Sequence, residues 1–71
     1  MNTNAYNVEA ILRAIELVGG VAKLSLKIGV SYQTVLNWKN RRAIPSHINC
    51  AKIEAATDGL VKRDEILHIK L

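Results

Sequence analysis

Across about half of the chain, from Leu17 to Ile53, there is not one aspartate or glutamate. Lys23, Lys27, Lys39, Arg41, Arg42 and Lys52 stand in that stretch without a countercharge, while each flank carries a net −1, so the stretch accounts for the chain's net +4. Charges kept only for solubility usually mix signs, so the natural partner of this stretch is a polyanion. Cys50 has no second cysteine beside it. That excludes an intramolecular disulfide and leaves a small packing residue in a reducing compartment as the expectation. No apolar run approaches the ~18 residues of a membrane span. The opening Met1-Asn2-Thr3-Asn4-Ala5-Tyr6 has neither the charged nor the apolar region of a signal peptide, so a cytoplasmic protein with no membrane contact is expected.

Catalytic constellations are missing too. There is no Ser/His/Asp arrangement, phosphate-cradling glycine loop or thiol–imidazole pair, so no enzyme and no cofactor are expected. His47 and Cys50 lie three apart but lack the third and fourth ligands of a metal site. Asp64 and Glu65 are adjacent and diverge on a helix, where they favour its first turn by charge and are badly placed for paired acid–base work. With 71 residues, 49% of them apolar and 23% charged, the chain is too hydrophobic for a disordered polybasic tail and sized for one small domain, residues 1–71.

What is present is helical periodicity. Asn7 can cap a first helix whose Val8, Ile11, Leu12, Ile15 and Val18 recur at the spacing of one helical face, ended by Gly19-Gly20. A second helix from about Val21 turns Leu24 and Ile28 inward and stops at Gly29, the residue best able to take a left-handed conformation. Ser31 then caps a third helix with Val35 and Trp38 inward, Trp38 as the largest core anchor, and Tyr32, Gln33, Asn37 and part of Thr34 outward. Asn40 is the expected left-handed stop. A fourth helix follows from Pro45 to Thr57, with Ile48, Ala51, the stem of Lys52 and Ala55 as its apolar face, Cys50 as a further candidate for it, and Asp58-Gly59 as its break. Arg63 to Leu67 reads as a short helix before an extended end.

Two helices can cross steeply over a short turn only where the crossing point is small and the turn tolerates positive φ. Ser25 and Gly29 meet both needs, four residues apart, with apolar Leu24, Ile28, Val30, Val35 and Trp38 at the positions that must be buried. Residues 21–40 therefore read as a helix-turn-helix, a layout used to read DNA. RNA is disfavoured because no exposed aromatic pair or clamping loop appears.

The stretches Ile15 to Ala22, Gly29-Val30-Ser31, Thr34-Val35, Trp38-Lys39-Asn40 through Pro45, and Ile53-Glu54-Ala55-Ala56-Thr57-Asp58-Gly59 carry a resemblance that covers most of the chain. They resemble the DNA-binding domains of lambdoid phage repressors and Cro proteins, and more closely the small prophage-encoded Cro-like regulators of the YdaS type. The resemblance implies an all-α, compact four- to five-helix lambda-repressor-like domain, working in a bacterial host cell as a repressor at a palindromic operator in double-stranded DNA.

By that resemblance the base-reading positions fall on Tyr32, Gln33 and Asn37. Their chemistry suits the task, since Gln and Asn can bond bidentately to adenine and Tyr offers a ring edge and a hydroxyl. Ser31 and Thr34 can reach phosphate, and Lys39, Arg41 and Arg42 beyond the helix, with Lys23 and Lys27 on the one before it, would track the backbone. Three positions depart from the pattern. Val21 stands where many relatives carry a phosphate-bonding Gln, leaving the backbone N–H groups of that helix start for the contact. Ser25 replaces the usual Ala, and its hydroxyl can bond the carbonyl four residues back. Leu26 projects where relatives are often polar, and is either an ordinary exposed leucine or a contact for a partner protein.

The C-terminal segment, residues 60–71, is richer in apolar side chains than a four-helix core of this size needs. One reading gives Ile66, Leu67, Ile69 and Leu71 to a weak homodimer, because a lone helix-turn-helix reads few base pairs and pairs of copies bind half-sites ~34 Å apart. The other has them close the monomer core. An antitoxin-like module that grips a partner protein, with DNA binding for autoregulation, is the alternative function.

Overall fold

The computed structural model describes residues 7–67, and every regular element among them is a helix. In chain order these are α1 (Val8–Val18), α2 (Val21–Ile28), α3 (Tyr32–Lys39), α4 (His47–Ala56) and α5 (Arg63–Ile66). The expected all-α architecture with five helices is what the chain adopts. Ile69 and Leu71 lie outside the described residues. Among the described residues no helix is long and apolar enough to cross a membrane.

Local chemistry sets most of the boundaries. The Asn7 side chain accepts the Glu9 N–H at 3.0 Å and starts α1. Gly19, at φ 104, ends it: the Gly20 N–H reaches the Ile15 carbonyl at 2.8 Å and the Gly19 N–H reaches Glu16 at 3.2 Å. Ser46 caps α4 by accepting the Asn49 N–H at 3.1 Å, so Pro45 precedes the helix as a buried residue and does not open its first turn. Asn40 is not a left-handed stop. It has φ −94, and the left-handed position after α3 is Arg41, at φ 64.

α2 packs on α1, α3 and α4, and α5 closes the far side against α1 and α4. The core is built from Ile11, Leu24, Val35, Trp38, Ile53, Val61 and Ile66, with the small Ala10 and Ala14 of α1 buried among them. Each large side chain so buried contributes ~1.5–3 kcal/mol relative to exposure.

Two expectations about faces are corrected. Leu12 is 41% exposed, because Ala10 and Ala14 occupy the inward arc that its spacing from Val8 and Ile15 had claimed for it. On α4 the buried line is Cys50, Ile53 and Thr57; Ile48 is 70% exposed, and Lys52 and Ala55 also face outward. Ile66 is wholly buried in this chain's own core. That is the placement expected where the C-terminal segment closes the monomer core, and Leu67 is half-buried against the same core.

Thr57 belongs in the core because all its polar capacity is used. Its hydroxyl donates to the Ile53 carbonyl at 3.0 Å and accepts the Val61 N–H at 3.1 Å, fastening the segment after α4. Burial pushes the Cys50 thiol up to about 11, so it stays protonated and packs as a small apolar group. Across the α1–α5 junction, Arg13 Nη2 donates to both oxygens of Glu65, at 2.9 and 3.0 Å, and to the Leu60 carbonyl at 3.2 Å.

Candidate nucleic-acid interface

α2, the turn and α3 form one rigid corner. Gly29 takes φ 76 and its N–H bonds the Ser25 carbonyl at 2.9 Å, with the Val30 N–H on the same oxygen at 3.0 Å. A Cβ at Gly29 would meet nothing within 4 Å, so the backbone angle, not space, calls for glycine there. Ser25 is buried at the crossing, and its hydroxyl donates to the Ala22 carbonyl at 2.8 Å, three residues back and not four. Val35 and Trp38 hold α3 against the core.

Ser31 accepts the Thr34 N–H at 3.0 Å, and the two hydroxyl oxygens lie 2.7 Å apart. Both are accordingly tied into the cap of α3, with exposed Ser31 and half-buried Thr34 at its rim. Tyr32 and Gln33 are exposed on the first turn, and Asn37 is half-buried one turn on. Gln33 Nε2 donates to Asn37 Oδ1 at 2.9 Å. Sequence spacing placed these two on one face; the bond between them is a feature it left unseen, although i and i+4 amides are within reach on any helix.

Beyond α3 the chain turns back in a six-residue wrap. The Arg42 N–H bonds the Asn37 carbonyl at 2.8 Å and the Arg41 N–H bonds Trp38 at 3.2 Å, around Arg41 in the left-handed region. Arg41, Arg42 and Lys39 are all exposed, at the helix end where the partial negative charge of the backbone favours cations. The turn costs strain, because a left-handed arginine is ~1–2 kcal/mol less favourable than its ordinary conformation.

Lys23 and Lys27 stand apart from this group. They line an open groove with Val18 and Leu26 on the outer side of α2. A Cβ at Gly19 would meet Lys23 Cδ at 3.1 Å, so the lysine stem lies over the end of α1. Leu26 is 81% exposed between the two lysines. The start of α2 has no side-chain cap, so the first N–H groups after Gly20 are left to a ligand or water.

The site residues thus fall into two groups. Ser31, Tyr32, Gln33, Thr34, Asn37, Lys39, Arg41 and Arg42 are gathered along α3 and its end. Lys23 and Lys27 border a separate apolar groove. Residues 11–68, from within α1 to past the end of α5, match the family model described as Bacterial toxin YdaS. No curated protein and no solved structure matches the chain.

Proposed function

The chain belongs to the Bacterial toxin YdaS family, and we propose that it is a sequence-specific, duplex-DNA-binding transcriptional regulator of the Cro type. The observation that carries this reading is the composition of one surface. An outward phenol and two amides on α3 adjoin the exposed cations Lys39, Arg41 and Arg42, in a stretch with no carboxylate. Amides and phenols suit base edges, and cations suit phosphates. In this reading α3 enters the major groove, Tyr32, Gln33 and Asn37 face bases, and Ser31, Thr34, Lys39, Arg41 and Arg42 hold the backbone. Lys23 and Lys27 add long-range attraction. Two copies on a palindromic operator would occlude the promoter, which represses it.

Fluorescence anisotropy with labelled duplexes tests the assignment. Gln33→Ala is expected to cost ~1–3 kcal/mol on the preferred duplex and to flatten preference, whereas Arg42→Ala weakens all duplexes alike and lowers the salt slope by about one. Absence of duplex binding at modest ionic strength contradicts the proposal.

A second reading is favoured by Leu26, 81% exposed and flanked by lysines, together with the toxin in the family's description. It makes the protein a module that grips a partner protein through the outer side of α2, with DNA binding for autoregulation. Leu26→Ser, which changes no charge, separates the two: it leaves duplex binding within twofold on the first reading, and abolishes co-purification of a stoichiometric partner on the second.

A further inference from the structure

The geometry points to Gln33 and Asn37 acting as one reading unit that selects adenine through Gln33 and an acceptor edge at the neighbouring base pair through Asn37. This rests on the DNA-reading proposal above and specifies its ligand. A primary amide offers one oxygen acceptor and two N–H donors. In the pair, one Gln33 Nε2 proton is spent on Asn37 Oδ1 at 2.9 Å. Gln33 keeps its Oε1 and its second N–H, side by side on the exposed first turn of α3. That adjacent acceptor and donor match adenine N6–H and N7, and no other base presents this pattern in the major groove.

Asn37 is left with a different face. One lone pair of its oxygen is taken by Gln33, and its two Nδ2 donors are uncommitted, so the pair as a whole offers more donors than acceptors on this side. Donors meet acceptors, so the adjoining position should carry guanine N7 and O6 or thymine O4, and not cytosine, whose N4 group only donates. The bond also removes freedom. Asn37 is half-buried, and its side-chain oxygen holds the Gln33 amide at 2.9 Å before any base arrives. Less side-chain ordering is then left to be done on binding.

Two substitutions at Asn37 separate anchoring from reading. Asn37→Asp keeps an oxygen for Gln33 Nε2 and deletes the donors. Asn37→Ala deletes both. Selection from a random duplex pool is run with the wild-type protein and with each variant, after circular dichroism has checked that the helices are retained. The wild type should enrich an adenine beside a guanine or thymine in each half-site. Asn37→Asp should retain the adenine and change the adjoining preference to cytosine, whose N4 can donate to the carboxylate. Asn37→Ala should lose the adjoining preference and also weaken that for adenine by ~10-fold, since Gln33 is released. A wild-type motif without adenine, or an adenine preference unmoved by Asn37→Ala, overturns the paired reading while DNA binding stands. A wild-type pool with no enriched sequence overturns the DNA proposal and the pair together.

Discussion

The carbonyl of Asn37 accepts the backbone N–H of Arg42 at 2.8 Å, which ties the last outward amide of α3 to the cations that follow it. The wrap that makes this bond requires a left-handed residue between them, and the chain places an arginine there, at φ 64. Asp58, at φ 55 after α4, is likewise left-handed, whereas glycine serves the turns after α1 and α2; an arginine held at this strained position fits a side chain retained for contact.

Arg41→Gly should therefore split stability from binding. Relief of the left-handed cost of ~1–2 kcal/mol is offset in part or in full by the ~0.5–1 kcal/mol entropic cost of glycine, so urea unfolding should show no loss or a gain of up to ~1.5 kcal/mol. Duplex affinity should fall, with the salt slope reduced by about one.

Thr57→Val tests the fastening after α4. The buried Val61 N–H loses its acceptor, at a cost of ~1–3 kcal/mol in urea unfolding. Thr57→Ser keeps the hydroxyl and loses one methyl, which is worth ~0.8 kcal/mol.

Ile66→Ala removes a wholly buried side chain from the monomer core. The expected loss is ~2–5 kcal/mol, and unfolding should be independent of protein concentration. Leu60, by contrast, is exposed, and Leu60→Ser should change stability by no more than ~0.5 kcal/mol.

Glu65 carries a pH dependence. The backbone N–H of Lys62 and then the Arg13 guanidinium hold its carboxyl below the ordinary glutamate value of 4.5. A group depressed in the folded state stabilises it above the unfolded value and loses that contribution as pH falls through the folded one. In thermal melts the advantage of the wild type over Glu65→Gln should be constant above pH 4.5 and shrink below it. Its exposure makes the effect small and sensitive to salt.

The corner formed by α2 and α3 was legible because its constraints are local: a glycine for positive φ, a small residue at the crossing, and a serine cap. α4 was not, because Ile48, Ala51 and Ala55 make an apolar line as good as that of Cys50, Ile53 and Ala56. What decides between them is tertiary, namely Thr57 sealing its hydroxyl against Ile53 and Val61. Leu12 failed for a related reason, since Ala10 and Ala14 of the same helix take the buried positions. The stop after α3 looked like Asn40 from residue preference, whereas the wrap sets the left-handed position one residue later. The contact between Gln33 and Asn37 is compatible with their spacing, but their individual residue types do not reveal it.

The central claim is that the outer side of α3 faces duplex DNA, and amide chemical-shift mapping during titration with a short duplex tests it most directly. The largest shifts should fall on residues 31–42, with smaller ones at the uncapped start of α2. Shifts centred on the exposed side of α1 and the segment between α4 and α5, around Leu12 and Leu60, or no shift at modest ionic strength, would contradict it.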